Sequence, residues 1–376
     1  MQIPYNEEKF DTLMDDAGID LVLASTRQNI RYLSGGYFYH FHERFTAFGE
    51  SQYTPLVGVP RGKQDQTFYI GHENEAGQAA EESLWFTDII NGPRVTSASG
   101  ENAANAIKKL GLEKGTIAVE KDFLPATALD TMRKELPDVN FVEALFVLEE
   151  LRAVKTKEEI EVMRRITEAD SEAIELGFQS GKGGATTIEI AQTVERELTN
   201  RGVCFLWVFT SAGTKMLRAP SNKNWEIGEV LHLDAGGSEN DYLTDVCRMG
   251  VRGEPSKEAS DVYTSCLTIQ DEVRLAIRKG ERYNTIYNLG EKILEESGHS
   301  KYGSFIIHGV GLISHEQPRF GSDIERELES GMIISIETDI RHPEIGYVKL
   351  EDTVVVTDNG CEGLGDAGRE FYTIIE

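Results

Sequence analysis

The chain is poor in every feature that would place it outside the cell, in a membrane or on nucleic acid. Only four of its 376 residues are cysteine, Cys204, Cys247, Cys266 and Cys361. No two of them form a C-x-x-C pair, which argues against a disulfide framework or a thiolate metal site. They read as reduced, mostly buried thiols of a cytoplasmic protein. Cys247 has no His or Asn placed to activate it and reads as inert packing. No stretch approaches the about 18 consecutive apolar residues of a membrane span, and Met1 to Glu8 lacks the basic start and apolar run of a secretory signal. Basic residues are also short: 38 Lys and Arg stand against 64 Asp and Glu, a formal charge of -26. That balance argues against nucleic acid or an anionic membrane surface as partner. Short-period repeats and low-complexity segments are missing too.

What is present fits a folded, soluble protein: 40% hydrophobic and 27% charged residues, in a chain long enough for two domains. The first 150 residues alternate helix-like and strand-like segments. A helical stretch around Phe10 to Asp16 precedes an apolar strand, Ile19 to Ala24. Val57-Gly58-Val59 and Phe68-Tyr69-Ile70 follow as strands, Asn102 to Leu110 as a helix, and Ile117-Ala118-Val119 as a strand. Such alternation predicts a small α/β domain over residues 1–150. A boundary falls near Leu151 to Thr156. Beyond it, Ile160, Met163, Ile166 and Ile174 recur at near-helical spacing, with Thr156 as N-cap and acids in the first turn. Helices are expected at about 186–201, 257–279 and 285–297, and strands at Val230 to Leu233, Met332 to Ile336, Tyr347 to Leu350 and Thr353 to Val356. Residues 151–376 therefore read as a second, α+β domain.

The chemistry concentrates in that second part. Leu231 to Gly250 reads as two short strands around a polar turn, and a turn centred between Glu239 and Asn240 sets Asp234 opposite Asp245. Like charges directly opposite are destabilising. His308 and His315 lie in "HGVGLISHEQP", Glu337 ends the apolar strand of "GMIISIE", and Glu351 sits inside "GYVKLEDTVVV". Taken singly, each has a structural account: a cap, a salt bridge, a packed histidine, a solvated strand edge. Together they put four carboxylates and a histidine into strand contexts where burial is costly unless a cation is bound. The set suits two divalent ions. Oxygen-rich coordination with one imidazole favours manganese, iron or cobalt and admits zinc. Two such ions sharing carboxylates can activate water and polarise a carbonyl.

The order Asp234, Asp245, His308, Glu337, Glu351 resembles the five metal ligands of the pita-bread metallopeptidases, in the branch of Xaa-Pro dipeptidase, aminopeptidase P and creatinase. The neighbours match as well: "LDAG" with a second Asp eleven residues on, "HGVGL" followed by "HEQP", "GMIISIE", and "ED". "NIRYLSG" at Asn29 to Gly35 and "LRAVKTKEEIEVMRR" at Leu151 to Arg165 resemble the N-terminal domain and interdomain segment of the same branch. The resemblance implies a C-terminal pita-bread fold behind a smaller creatinase-like α/β domain, and a homodimer. It implies that Asp245 and Glu351 bridge two ions, Asp234 binds one, and His308 and Glu337 complete the other. His315 would bond the substrate or tetrahedral intermediate, and Glu337 would handle the proton of the attacking water.

Departures cluster around the substrate. Where peptidases keep a histidine before the first metal strand, Arg218 stands, whose planar fork can clamp a carboxylate. Ser304, Thr338 and Lys349 replace a His, a Pro and an Arg. The leading expectation is therefore a metal-dependent hydrolase of a small amide or short peptide, most simply Xaa-Pro dipeptidase-like. The alternative is a non-peptidase relative, creatinase-like or dimethylsulfoniopropionate-lyase-like, acting on an osmolyte. A metal-free binding module is the least supported class. The aromatic stretch Gly35 to Glu50 reads as core and dimer packing. Its sharper alternative is a loop reaching the partner subunit's active site, where Tyr37, Phe38, Tyr39, Phe41 and Phe45 hold a cationic methylated group and His40, His42 or Arg44 add polar contacts.

Overall fold

A computed structural model describes residues 3–49, 51–82 and 84–375, and the chain forms two compact units, Met1–Arg152 and Ala153–Glu376. In the first, the strands are β1 (Leu21–Ala24), β2 (Ala47–Phe48), β3 (Ser51–Gln52), β4 (Leu56–Pro60), β5 (Phe68–His72), β6 (Asp88–Gly92), β7 (Thr116–Val119) and β8 (Asn140–Glu143). Six of them form a mixed sheet in the order β6-β5-β4-β1-β7-β8, and β2 pairs with β3. Its helices are α1 (Glu7–Asp16), α2 (Arg27–Ser34), α3 (Ala76–Glu81), α4 (Thr96–Lys109), α5 (Ala126–Glu135) and α6 (Leu145–Leu151).

Alternation along β1 explains the layering. Leu21 and Leu23 pack with Ala103, Ile107 and Met132 of α4 and α5. Val22 and Ala24 pack with Phe10, Met14, Ile30 and Leu33 of α1 and α2. A strand with both faces covered must be apolar at every position, which is why Leu21 to Ala24 shows no polar alternation. Helix α4 starts at Thr96, earlier than the expected Asn102. Its first turns are built from Thr, Ser, Ala and Gly, which carry little apolar periodicity.

The second unit begins with α7 (Lys157–Ser180), opened by a capping box in which Thr156 and Glu159 satisfy each other's backbone N–H groups. Met163, Ile166, Ile174 and Phe178 are buried on one side of it. The other helices are α8 (Thr187–Asn200), α9 (Lys257–Ala276) and α10 (Tyr283–Glu296). The strands are β9 (Cys204–Ala212), β10 (Val230–Glu239), β11 (Tyr242–Leu243), β12 (Val246–Arg252), β13 (Gly303–Gly309), β14 (Glu316–Arg319), β15 (Ile333–His342), β16 (Gly346–Val356), β17 (Cys361–Leu364) and β18 (Tyr372–Ile374). The sheet's main path runs β11-β10-β12-β16-β15-β13-β14. The two strands expected at 347–350 and 353–356 are one continuous strand, β16, because Glu351 and Asp352 are buried in mid-strand.

On one face, Ile334, Ile336, Ile340, Val348, Leu350 and Val354 pack with residues of α9 and α10. The intervening residues of β13, β15 and β16 point the other way, and these include His308, Glu337, Lys349 and Glu351. No helix among the described residues is long and apolar enough to cross a membrane.

Candidate metal centre

The strand register corrects one expectation and supplies what it was looking for elsewhere. Asn240 and Asp241 both have positive φ, 51° and 69°, and form a two-residue turn of the kind that closes hairpins. Pairing therefore sets Asp234 opposite Cys247, with Ser238 opposite Leu243. Asp245 falls two residues short of Cys247, between β11 and β12. A shift of two keeps both aspartates on one face as diagonal neighbours. The acids that do stand directly opposite are Glu337 and Glu351, in the β15–β16 pair. Cys247 also faces Glu351, so one row crosses four strands through Asp234, Cys247, Glu351 and Glu337.

The five residues singled out in the sequence come together. Asp234, Asp245 and Glu351 offer donor atoms within 4.8 Å of one another, as do His308, Glu337 and Glu351, and Asp245, His308 and His315. Asp234, Asp245, His308, Glu337 and Glu351 are all buried. His308 Nε2 lies 2.8 Å from Glu337 Oε1. Ser335 donates to Glu351 Oε1 at 2.7 Å. The exposed His315 stacks on His308, ring centroids 3.8 Å apart at 14°, with Nε2 3.9 Å from Glu337 Oε1.

Two side-chain cations enter this cluster. Lys349 Nζ lies 2.8 Å from Asp234 Oδ2 and 2.7 Å from both Glu337 Oε2 and Glu351 Oε2. Arg218 reaches the same Asp234 Oδ2 at 2.6 Å, its guanidinium 5.1 Å from the ring centroids of both Phe209 and Tyr347. The sequence flagged both residues as departures at the substrate side; the structure sets both on a carboxylate of the cluster. Ser304 and Thr338 do not join it. Ser304 bonds Asp339 across β13 and β15, and the Thr338 hydroxyl is buried without a hydrogen-bond partner.

Electrostatics divide the carboxylates. Burial drives Glu351 up to about 7, reinforced by Glu337 across the pair. Burial, then Glu351 and Asp234, hold Asp245 well above the carboxylate range. Burial opposes ionisation of Glu337 too, but His308 and Lys349 outweigh it and bring it down to about 2. Asp234 also lies below its usual value, burial being overcome by Lys349 and His232. Burial and the neighbouring His308 lower His315, which keeps it neutral near pH 7. The donor set, four carboxylates and an imidazole converging from four segments of chain, fits divalent metal ions.

Two residues of this region gave no sequence signal. Asp170 is buried on α7 and accepts a hydrogen bond from Thr244 at 2.5 Å, while Thr244 receives the Gly237 N–H at 2.8 Å. This clamp holds the chain immediately before Asp245. Burial drives Asp170 up to about 7. An acid among Glu168 and Glu172 on a long helix looks like part of a solvated face. His232 is buried 3.9 Å from Asp234, in a strand position that reads as packing.

Residues 161–358 match the model of metallopeptidase family M24, and residues 8–154 that of the creatinase/prolidase N-terminal domain. The chain belongs to metallopeptidase family M24. It is thus a metallohydrolase with a creatinase-type N-terminal domain and a pita-bread C-terminal domain, and its family implies divalent metal ions. Curated relatives include the Xaa-Pro dipeptidase of Pyrococcus furiosus, 28% identical over 97% of this chain and 98% of its own length. That of Pyrococcus horikoshii is 27% identical over 97% of both chains. Among solved structures, the Pyrococcus furiosus prolidase is 25% identical with a TM-score of 0.79, over 95% of this chain and 99% of its own. An Xaa-Pro dipeptidase from Bacillus anthracis, 24% identical over 98% and 99%, shares the fold with a TM-score of 0.84.

Proposed function

We propose that this M24 peptidase hydrolyses short Xaa-Pro peptides, dipeptides first, using two divalent ions. The observation that carries the proposal is the convergence of all five donors with His315 beside them, in a chain alignable end to end with Xaa-Pro dipeptidases. In it, Asp245 and Glu351 would contribute to holding both ions, Asp234 to holding one, and His308 and Glu337 to holding the other. The donor set favours manganese, iron or cobalt over zinc. Held by these residues, divalent ions would supply Lewis acidity for the scissile carbonyl and for a water.

The chain's own groups do the rest. Glu337, held ionised, is the base that takes the water's proton. His315 is neutral and exposed at the cluster, so its imidazole can donate to the carbonyl oxygen as charge develops there. Arg218 keeps Nε without a hydrogen-bond partner and offers its fork to a substrate carboxylate. A homodimer in the cytoplasm completes the proposal, the first part tested by light scattering on the full chain.

Arg218 also favours a second reading, a non-peptidase amide hydrolase or lyase for a small osmolyte, because it replaces the peptidases' histidine and is engaged with Asp234. An assay of Xaa-Pro dipeptides against methylated-amide and sulfonium osmolytes separates the two. Turnover of the dipeptides alone is expected. Turnover confined to osmolytes would replace the peptidase reading with the second.

A further inference from the structure

His315 acts from an exposed position, and little of its own bonding holds it there. Its side chain is 60% exposed, and among the described residues its ring hydrogen-bonds only the hydroxyl of the adjoining Ser314. The stack on His308 fixes the plane of the ring. Its reach over the cluster is set by the backbone that carries it. That backbone, residues 310–315, runs from β13 to β14 without regular structure.

The anchor at its far end is the next residue. Glu316 opens β14, and successive residues of extended chain face opposite ways. Glu316 therefore turns into the protein where His315 turns out to the cluster. Its Oε1 meets Lys155 Nζ at 2.9 Å, with side-chain exposures of 0% and 1%. Lys155 Nζ also lies 3.3 Å from the Ala153 carbonyl oxygen. The loop is built around this pair. A Cβ on Gly311 would lie 2.1 Å from Glu316 Oε1 and 3.0 Å from Lys155 Cε, so only glycine lets the backbone pass. The Leu243 N–H holds the Gly311 carbonyl at 2.8 Å. The backbone of Lys155 is tied to the approach to β15: its N–H donates to the Gly331 carbonyl at 3.0 Å, and Val154 bridges Met332. Strand β15 carries Glu337. The pair thus joins the segment that delivers His315 to the segment that delivers Glu337.

Stability does not account for such a pair. Stripping water from two charges costs about what their attraction returns, and apolar groups of like size often serve as well or better. What an ion pair adds is a fixed distance and direction between two segments. We infer that Lys155 and Glu316 are positioning residues for hydrolysis: their buried ion pair sets where the 310–315 loop holds His315 over the carboxylate cluster. The inference rests on the role given to His315 above. Misplacing a group that acts on the transition state by about 1 Å can cost about 100-fold, and the loss falls on kcat while KM stays.

Steady-state hydrolysis of an Xaa-Pro dipeptide by the manganese-loaded full chain reads this directly, with Lys155→Met and Glu316→Gln made together. Both charges go at once, so neither is left buried alone. Cooperative thermal unfolding and manganese stoichiometry should match the wild type. The kcat should fall about 10- to 100-fold, with KM within about threefold. The same two replacements made in His315→Ala should cost less than about threefold, because the anchor acts through that ring. A merely structural pair would cost the same in both backgrounds. Should the variant lose its cooperative transition, Lys155→Met with Glu316→Leu replaces it and is read in the same way. An unchanged kcat, equal losses in the two backgrounds, or a loss that tracks lost manganese would overturn the inference and leave the peptidase reading standing. A wild type that cleaves no Xaa-Pro dipeptide would overturn both.

Discussion

Each unit of this protein buries carboxylates, and the two solve the problem in opposite ways. In the N-terminal unit, Glu75 is fully buried yet meets only neutral donors. The hydroxyls of Tyr37 and Tyr69 lie 2.8 Å from it, that of Tyr53 at 3.0 Å, and the His72 backbone N–H completes the set. Glu120 is treated alike, by Ser25, Thr26 and Asn29. In the C-terminal unit, Asp234, Asp245, Glu337 and Glu351 converge with too few neutral donors, and positive charge from Lys349 and Arg218 enters instead. A lone buried acid that exhausts its lone pairs on hydrogen bonds is structure. A cluster of acids left under-supplied is a cation site.

That contrast can be broken most severely at Asp245. Asp245→Ala removes a donor shared by both halves of the cluster, and peptidase activity should fall to background while the protein stays folded; retained turnover would refute its place in the centre. Glu75→Ala is the mirror experiment. It strands the Tyr37 hydroxyl, the His72 N–H and one of the Tyr53 and Tyr69 hydroxyls, which can still bond each other at 3.0 Å; at about 1–3 kcal/mol each, stability should drop by several kcal/mol with manganese binding unchanged. Loss of metal binding in that variant would erase the distinction between the two regions.

A smaller effect sharpens the same point at Asp170, the acid that positions rather than binds. Its folded pKa, pushed by burial to about 7 from an ordinary 3.8, means the folded state holds a proton that the unfolded chain releases. That stabilisation is full below pH 4 and is lost as pH rises toward 7, on the order of 4 kcal/mol in total. Asp170→Asn should flatten this decline in chelated protein, followed by denaturant melts across pH 4–8. An unaltered slope would show that Asp170 titrates as it does in the unfolded chain.

Most of the centre was legible in the sequence because five donors in a fixed order carry their neighbours with them. The α/β and α+β units were legible from periodicity, as was the Thr156 cap. What escaped was pairing. The turn at Asn240-Asp241 moved the register by two because both residues accept left-handed backbone, which no pattern of apolar residues reveals. The true opposed acids, Glu337 and Glu351, belong to strands whose pairing only the folded sheet fixes. Lys349 and Arg218 were visible as substitutions, but the approach of Lys349 to Asp234 depends on β10 and β16 lying on either side of β12, and that of Arg218 on the path of the segment between β9 and β10. The aromatic stretch from Gly35 resolves only in part. Tyr37 and Phe38 are buried in the N-terminal core and Tyr37 serves Glu75, Phe41 and Phe45 are exposed, and Glu50 lies outside the described residues.

The most direct test of the whole account is hydrolysis of an Xaa-Pro dipeptide before chelation, after it, and after manganese is restored, with bound metal measured at each stage. Activity should vanish with the metal and return with it, as up to two ions bind per chain. Undiminished hydrolysis by metal-free protein, or a manganese-loaded chain that cleaves no Xaa-Pro peptide, would contradict it.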